Sequence, residues 1–143
     1  MAVPFRFDTV LRVREAERDR CRTALVQEQQ RAAGLLAERE QFSSERLTIL
    51  DELRALHDSG DWPADQALAR QQHAEHLAAE LSRIDGTLKD VAASLARCRT
   101  ELLEADTSVK ALEKLAGRHA ADQRRAEQTS AERDRDDSWR AAS

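Results

Sequence analysis

Residues 74–119 read AEHLAAELSRIDGTLKDVAASLARCRTELLEADTSVKALEKLAGRH, and apolar side chains recur through them at alternating steps of three and four. Ala74, Leu77, Leu81, Ile84, Leu88, Val91, Leu95, Cys98, Leu102, Ala105, Val109 and Leu112 form the row, which Ala116 and His119 extend. Such steps average 3.5 residues, the period that keeps one stripe of a helix facing a partner along a left-handed supercoil. The intervening positions are mostly Glu, Asp, Arg, Lys, Gln, Ser and Ala. One seam is therefore apolar and the rest of the surface wet. The stretch reads as one strand of a coiled coil.

Composition points the same way. Of the 143 residues, 35% are charged and only 3% aromatic, too little bulk for a thick globular core. Four Gly and two Pro are too few for an all-β or loop-rich fold. No apolar run approaches the length of a bilayer span, so direct membrane insertion is not expected. The opening Met1-Ala2-Val3-Pro4-Phe5-Arg6 has no secretory apolar segment. Cys21 and Cys98 form no metal or redox motif, and a reduced cytoplasmic chain is the expectation. The net charge of -4 conceals 23 basic and 27 acidic residues, the mixture of a solvated helical surface.

Upstream of the seam, Asp8 is placed to cap a first helix in which Gly34 is the main weak point. Its row Phe7, Arg14, Cys21, Glu28, Leu35, Phe42, Ile49 and Leu56 keeps a seven-residue period but includes polar members. The complementary row Val10, Glu17, Ala24, Arg31, Glu38, Glu45 and Glu52 is poorer, with Leu11, Leu25, Ala32 and Leu53 widening the stripe. His57-Asp58-Ser59-Gly60-Asp61-Trp62-Pro63 interrupts both patterns. Gly60 suits a helix stop, Asp61 or Trp62 a cap, and Pro63 a first helical turn.

The expected fold is all-α: two long helices forming an antiparallel coiled-coil hairpin, the second longer and with a C-terminal overhang. The whole of 1–143 reads as a single coiled-coil domain. Helix one covers about residues 8–57, the turn about 58–63 and helix two about 64–138. A turn centred near Gly60 sets Phe42 against Leu77, Leu35 against Ile84, Val10 against Val109 and Phe7 against Leu112. Cys21 then faces Cys98, both as small buried hydrophobes and not as a disulfide. The charged stretch beyond residue 119 has almost no large apolar residue before Trp139 and depends on a partner for order.

No catalytic constellation, cofactor site or phosphate-binding loop is present in the sequence. His73, His76, Glu75 and Glu80 share a helix region, but solvated polar residues outweigh a metal site there. Arg118, Arg124 and Arg125 are interleaved with Asp122 and Glu127, which argues against nucleic acid. Trp62 and Trp139 are candidate contact residues.

Three segments resemble the FliJ family. Phe5-Arg6-Phe7-Asp8-Thr9-Val10-Leu11-Arg12-Val13-Arg14-Glu15 looks like its F-x-F opening followed by L-x-x-R-E. Val109-Lys110-Ala111-Leu112-Glu113-Lys114-Leu115 resembles its V-x-x-L-E-K-L block. Asp134-Arg135-Asp136-Asp137 is similar to its E-x-D-E ending, with Asp134 and Asp137 where Glu is usual.

The resemblance implies a soluble, non-enzymatic component of the bacterial flagellar type III export apparatus, similar to the stalk of a rotary ATPase. It implies cytoplasmic placement at the inner-membrane periphery and a monomer when free. The implied partners are the hexameric export ATPase FliI, the export gate protein FlhA and the substrate chaperones that the family helps recycle. The stalk end would comprise Phe7, Leu11, Arg14, Glu15, Leu112, Lys114, Leu115 and Arg118, with Arg125, Asp136 and Asp137 in the tail. Leu47, Leu50, Trp62 and Leu68 near the turn are the candidate gate contacts. The rival readings are an injectisome stalk, a generic structural coiled coil and an RNA-binding helical protein.

Overall fold

The computed structural model describes residues 4–60 and 63–142, which form two helices, α1 (Asp8–Asp58) and α2 (Ala64–Ala142). Each has a defined start. The Phe7 carbonyl accepts the first intrahelical bond of α1 from the Leu11 amide at 2.8 Å, so Phe7 occupies the cap position. Asp8 sits one place inside the position expected from sequence. There its carboxylate lies among the free amides of the first turn and pairs with Arg12 at 3.2 Å. At α2 the Pro63 carbonyl plays the Phe7 role, accepting from the Ala67 amide at 2.9 Å. Pro63 thus stands just ahead of the first turn and not in it. Asp61 and Trp62, the expected caps, lie outside the described residues.

Helix α1 stops where it must reverse its backbone. Gly60 has φ +74°, a left-handed conformation that L side chains adopt only at a cost. Its amide bonds the His57 carbonyl at 3.4 Å, and Ser59 Oγ donates to the Leu56 carbonyl at 2.8 Å. These bonds satisfy carbonyls that the helix end would otherwise leave bare.

The chain forms two compact units, Ala24–Arg99 and Met1–Thr23 with Thr100–Ser143, and both helices contribute to each. In the first, α1 and α2 run antiparallel. Arg39 pairs with Asp85 at 2.6 Å, Glu52 with Arg70 at 3.0 Å and Glu45 with His73 at 3.3 Å: as numbers rise on one helix they fall on the other. Ala67, Ala74, Leu77, Ile84 and Val91 of α2 are buried together with Ile49 of α1. Ile49, Ala74 and Leu77 form a core cluster against which Phe42, Leu50 and Leu53 pack. Leu81, Leu88, Leu95 and Cys98, the other members of the α2 row here, are half-buried. In the second unit Ala105 and Val109 are buried, and Leu102, Leu112, Ala116 and His119 are half-buried.

Helix α1 departs from the sequence reading in its second row. In the Ala24–Arg99 unit Ala24 and Glu38 of the expected row are half-buried, as are Leu25, Ala32 and Leu53, which were expected to widen the stripe. Arg31, Glu45 and Glu52 are exposed, and Arg39 and Arg46 are half-buried in addition. In the other unit Leu11 and Arg18 are half-buried and Val10 is exposed. Arginine stems are long enough to cover an apolar seam while the guanidinium reaches outward. The stripe therefore takes in Arg18 and Arg39 beside the half-buried Glu17 and Glu38, and Arg46 in place of the exposed Glu45. Phe42 packs on the cluster that contains Leu77, as the expected alignment sets it, and the cross-helix pairs Glu45–His73, Glu52–Arg70 and Arg39–Asp85 scatter by a few residues around that alignment.

Candidate functional site

The candidate sites are surfaces. The first is built from both ends of the chain within Met1–Thr23 and Thr100–Ser143. Phe5, Phe7 and His119 form an aromatic group: the Phe5 and Phe7 rings meet edge to face at 5.8 Å, and Phe5 lies 5.6 Å from the His119 ring. The Arg6 guanidinium stands 5.5 Å from the centre of the Phe7 ring. His119, read from sequence as a polar end to the seam, is thus an aromatic contact for the start of the chain. Sequence reasoning placed Phe7 on Leu112 and left Phe5 out of the site. A turn closed by the Asp8 amide on the Phe5 carbonyl at 3.1 Å brings the two rings together.

The remaining candidates in this unit divide by exposure. Leu11, Glu15 and Leu112 are half-buried, so much of their surface serves the helix pair itself. Phe7, Arg14, Lys114, Leu115 and Arg118 are exposed, and Arg14 donates to Glu17 at 3.0 Å. Arg125, Asp136 and Asp137 lie on a helical stretch, residues 124–142, in which every side chain is exposed. Arg125 pairs with Asp122 at 3.4 Å, which tempers the basic character of this segment. Trp139, 73% exposed, is the one large hydrophobic side chain among these residues.

Electrostatics in this unit centre on Asp106. Lys110 bonds it at 2.9 Å and Arg18 lies 4.0 Å away. The Lys110 hydrogen bond, supported by the charges of Lys110, Arg18 and Arg22, holds the carboxyl below its ordinary range although partial burial opposes this. Cys21 lines a shallow cleft with Glu101, Ala105 and Ser108, and both Cys21 and Cys98 are free thiols.

The second surface belongs to the Ala24–Arg99 unit. Leu47 and Leu68 are 59% and 55% exposed, available to a partner. Leu50 is half-buried and packs on the Ile49 cluster, so it serves the core as well. Trp62 lies outside the described residues. His73 reaches across to Glu45 and does not converge with His76, Glu75 and Glu80. Among the described residues no group of three or more His, Cys, Asp or Glu side chains could hold a metal ion. No described helix is long and apolar enough to cross a membrane.

A family model described as "Flagellar FliJ protein" matches residues 3–141. No curated protein and no solved structure matches the chain.

Proposed function

The chain belongs to the FliJ family, which makes it a non-enzymatic component of flagellar type III export, and on that premise we propose that it acts as the stalk of the export ATPase. In this reading the paired chain ends enter the pore of the FliI hexamer. Leu11, Glu15 and Leu112 hold the two helices together, while Phe7, Arg14, Lys114, Leu115 and Arg118 present the contact surface. Arg125, Asp136 and Asp137 on the exposed end of α2 then reach further into the ring.

One observation carries the proposal: residues 124–142 are helical yet exposed on every side. A lone helix of this length is marginal in water, and one with alternating charges suits a ring lumen lined by polar loops. The exposed Leu47 and Leu68 of the Ala24–Arg99 unit are assigned to the export gate protein FlhA, and the chain works at the inner-membrane periphery. Release and reloading of substrate chaperones follow from joining these two contacts in one molecule.

The test is ATPase stimulation. Removal of residues 120–143 should abolish stimulation of the cognate FliI while leaving the helical circular dichroism of the remaining chain intact. Full stimulation by the shortened chain would refute this placement of the stalk end.

A further inference from the structure

Two helices with strictly repeating apolar rows face a choice of registers. Sliding one by seven residues returns apolar positions to apolar positions, so the seam alone discriminates poorly between alignments. Within the Ala24–Arg99 unit the flanking charges do not share this indifference. Glu38 lies 4.0 Å from Arg83, Arg39 is 2.6 Å from Asp85, Glu45 is 3.3 Å from His73 and Glu52 is 3.0 Å from Arg70.

Displace α1 by one heptad in one direction and Glu38 meets Asp90, Glu45 meets Glu80, Arg39 meets Ala92 and Glu52 meets Leu77. Two like-charge contacts then replace three opposite-charge pairs and the Glu45–His73 contact. In the other direction Arg39 and Glu52 meet Ala78 and Pro63, while Glu45 and Glu38 meet the uncharged Gln66 and His76, so no ion pair between a full acid and a full base remains.

We propose that this charge ladder is a register lock: Glu38, Arg39, Glu45 and Glu52 of α1 select the single alignment in which Arg83, Asp85, His73 and Arg70 of α2 answer them. Each exposed pair is weak on its own. Their joint effect is selective because a one-heptad slip forfeits all four together. The Arg39–Asp85 pair leads the set, having the shortest contact. It also occupies a position in the α1 seam that another apolar residue would leave free to slip. The turn favours the same alignment, since a slip would carry it off Gly60 and Pro63 by three or four residues, so the ladder must be tested with the turn intact.

Spin labels at the exposed positions Gln30 and Gln72, in a Cys21→Ala, Cys98→Ala background, read the alignment directly. A one-heptad slip changes their separation by about 10 Å at 1.5 Å rise per residue. The chain with its natural ladder should give one narrow distance. Joint Glu38→Gln, Arg39→Gln, Glu45→Gln and Glu52→Gln substitution should add a second population displaced by that amount, and 1 M salt should push the unsubstituted ladder the same way. A single unchanged distance in the neutralised chain at full helicity would overturn the lock. Should that variant lose helicity, Arg39→Asp alone decides: a second distance that disappears in the Arg39→Asp, Asp85→Arg pair supports the ladder. A distance indifferent to both overturns it.

Discussion

Replacing Ile84 by Ala is the perturbation most diagnostic of the seam. Ile84 has no exposed surface, and it belongs to the α2 row within the Ala24–Arg99 unit. The substitution removes three carbon atoms. At about 0.8 kcal/mol for each buried carbon group this costs roughly 2.4 kcal/mol, and the cavity left behind raises the loss to about 3 kcal/mol. Leu103 supplies the control. It lies on the same helix and has the same number of side-chain carbons, but it is 67% exposed, so Leu103→Ala should change stability by no more than about 0.5 kcal/mol. Urea unfolding followed by helical circular dichroism separates the two. With a slope near 2 kcal/mol per molar urea, Ile84→Ala should lower the midpoint by about 1.5 M, while Leu103→Ala leaves it almost in place. Equal midpoints for the two variants would refute the assignment of a single buried stripe to α2.

Three further outcomes follow from particular residues. Gly60→Ala should destabilise the chain by about 1 kcal/mol, because the new Cβ meets no neighbouring atom but must adopt φ +74°; thermal unfolding that is unchanged would remove strain as the reason for glycine there. The Arg39 hydrogen bond, with the charges of Arg39 and Lys89, holds the Asp85 carboxyl below its ordinary value, as Lys110 does for Asp106. The folded chain then binds fewer protons than the unfolded one, so this stabilisation is fully present above about pH 4 and is lost as pH falls through the lowered folded values. Asp85→Asn should accordingly lose less stability than the unsubstituted chain between pH 5 and 2.5, and an identical acid profile would contradict the assignment. Leu95→Asp puts a charge into the half-buried α2 row and should abolish much of the helicity of the Ala24–Arg99 unit by circular dichroism; a spectrum like that of the natural sequence would show the row to be solvated at this point.

Helix α2 was legible because its seam is built from Leu, Ile, Val, Ala and Cys, whose burial and apolarity coincide. All the row members from Ala74 to His119 are buried or half-buried. Helix α1 was harder. Arg18, Arg39 and Arg46 score as polar in any hydropathy pattern, yet their stems occupy the helix pair. A pattern that ranks side chains by charge assigns them to water, although their stems cover the seam. The same limit explains Phe5. Its contact with His119 joins residues more than a hundred positions apart, and local spacing carries no signal for that pairing. The partner surface was legible only as composition. A charged helix without an apolar stripe announces that it does not pack within its own chain, but its residues do not spell out what surrounds it.

The most direct measurement of the account is a photocrosslinking map made with the cognate ATPase hexamer and the full chain. A photoreactive side chain at Asp136 should crosslink to the ring, and the same group at Leu47 should not. Crosslinks to the ring from Leu47 and none from Asp136 would contradict the stalk orientation at once.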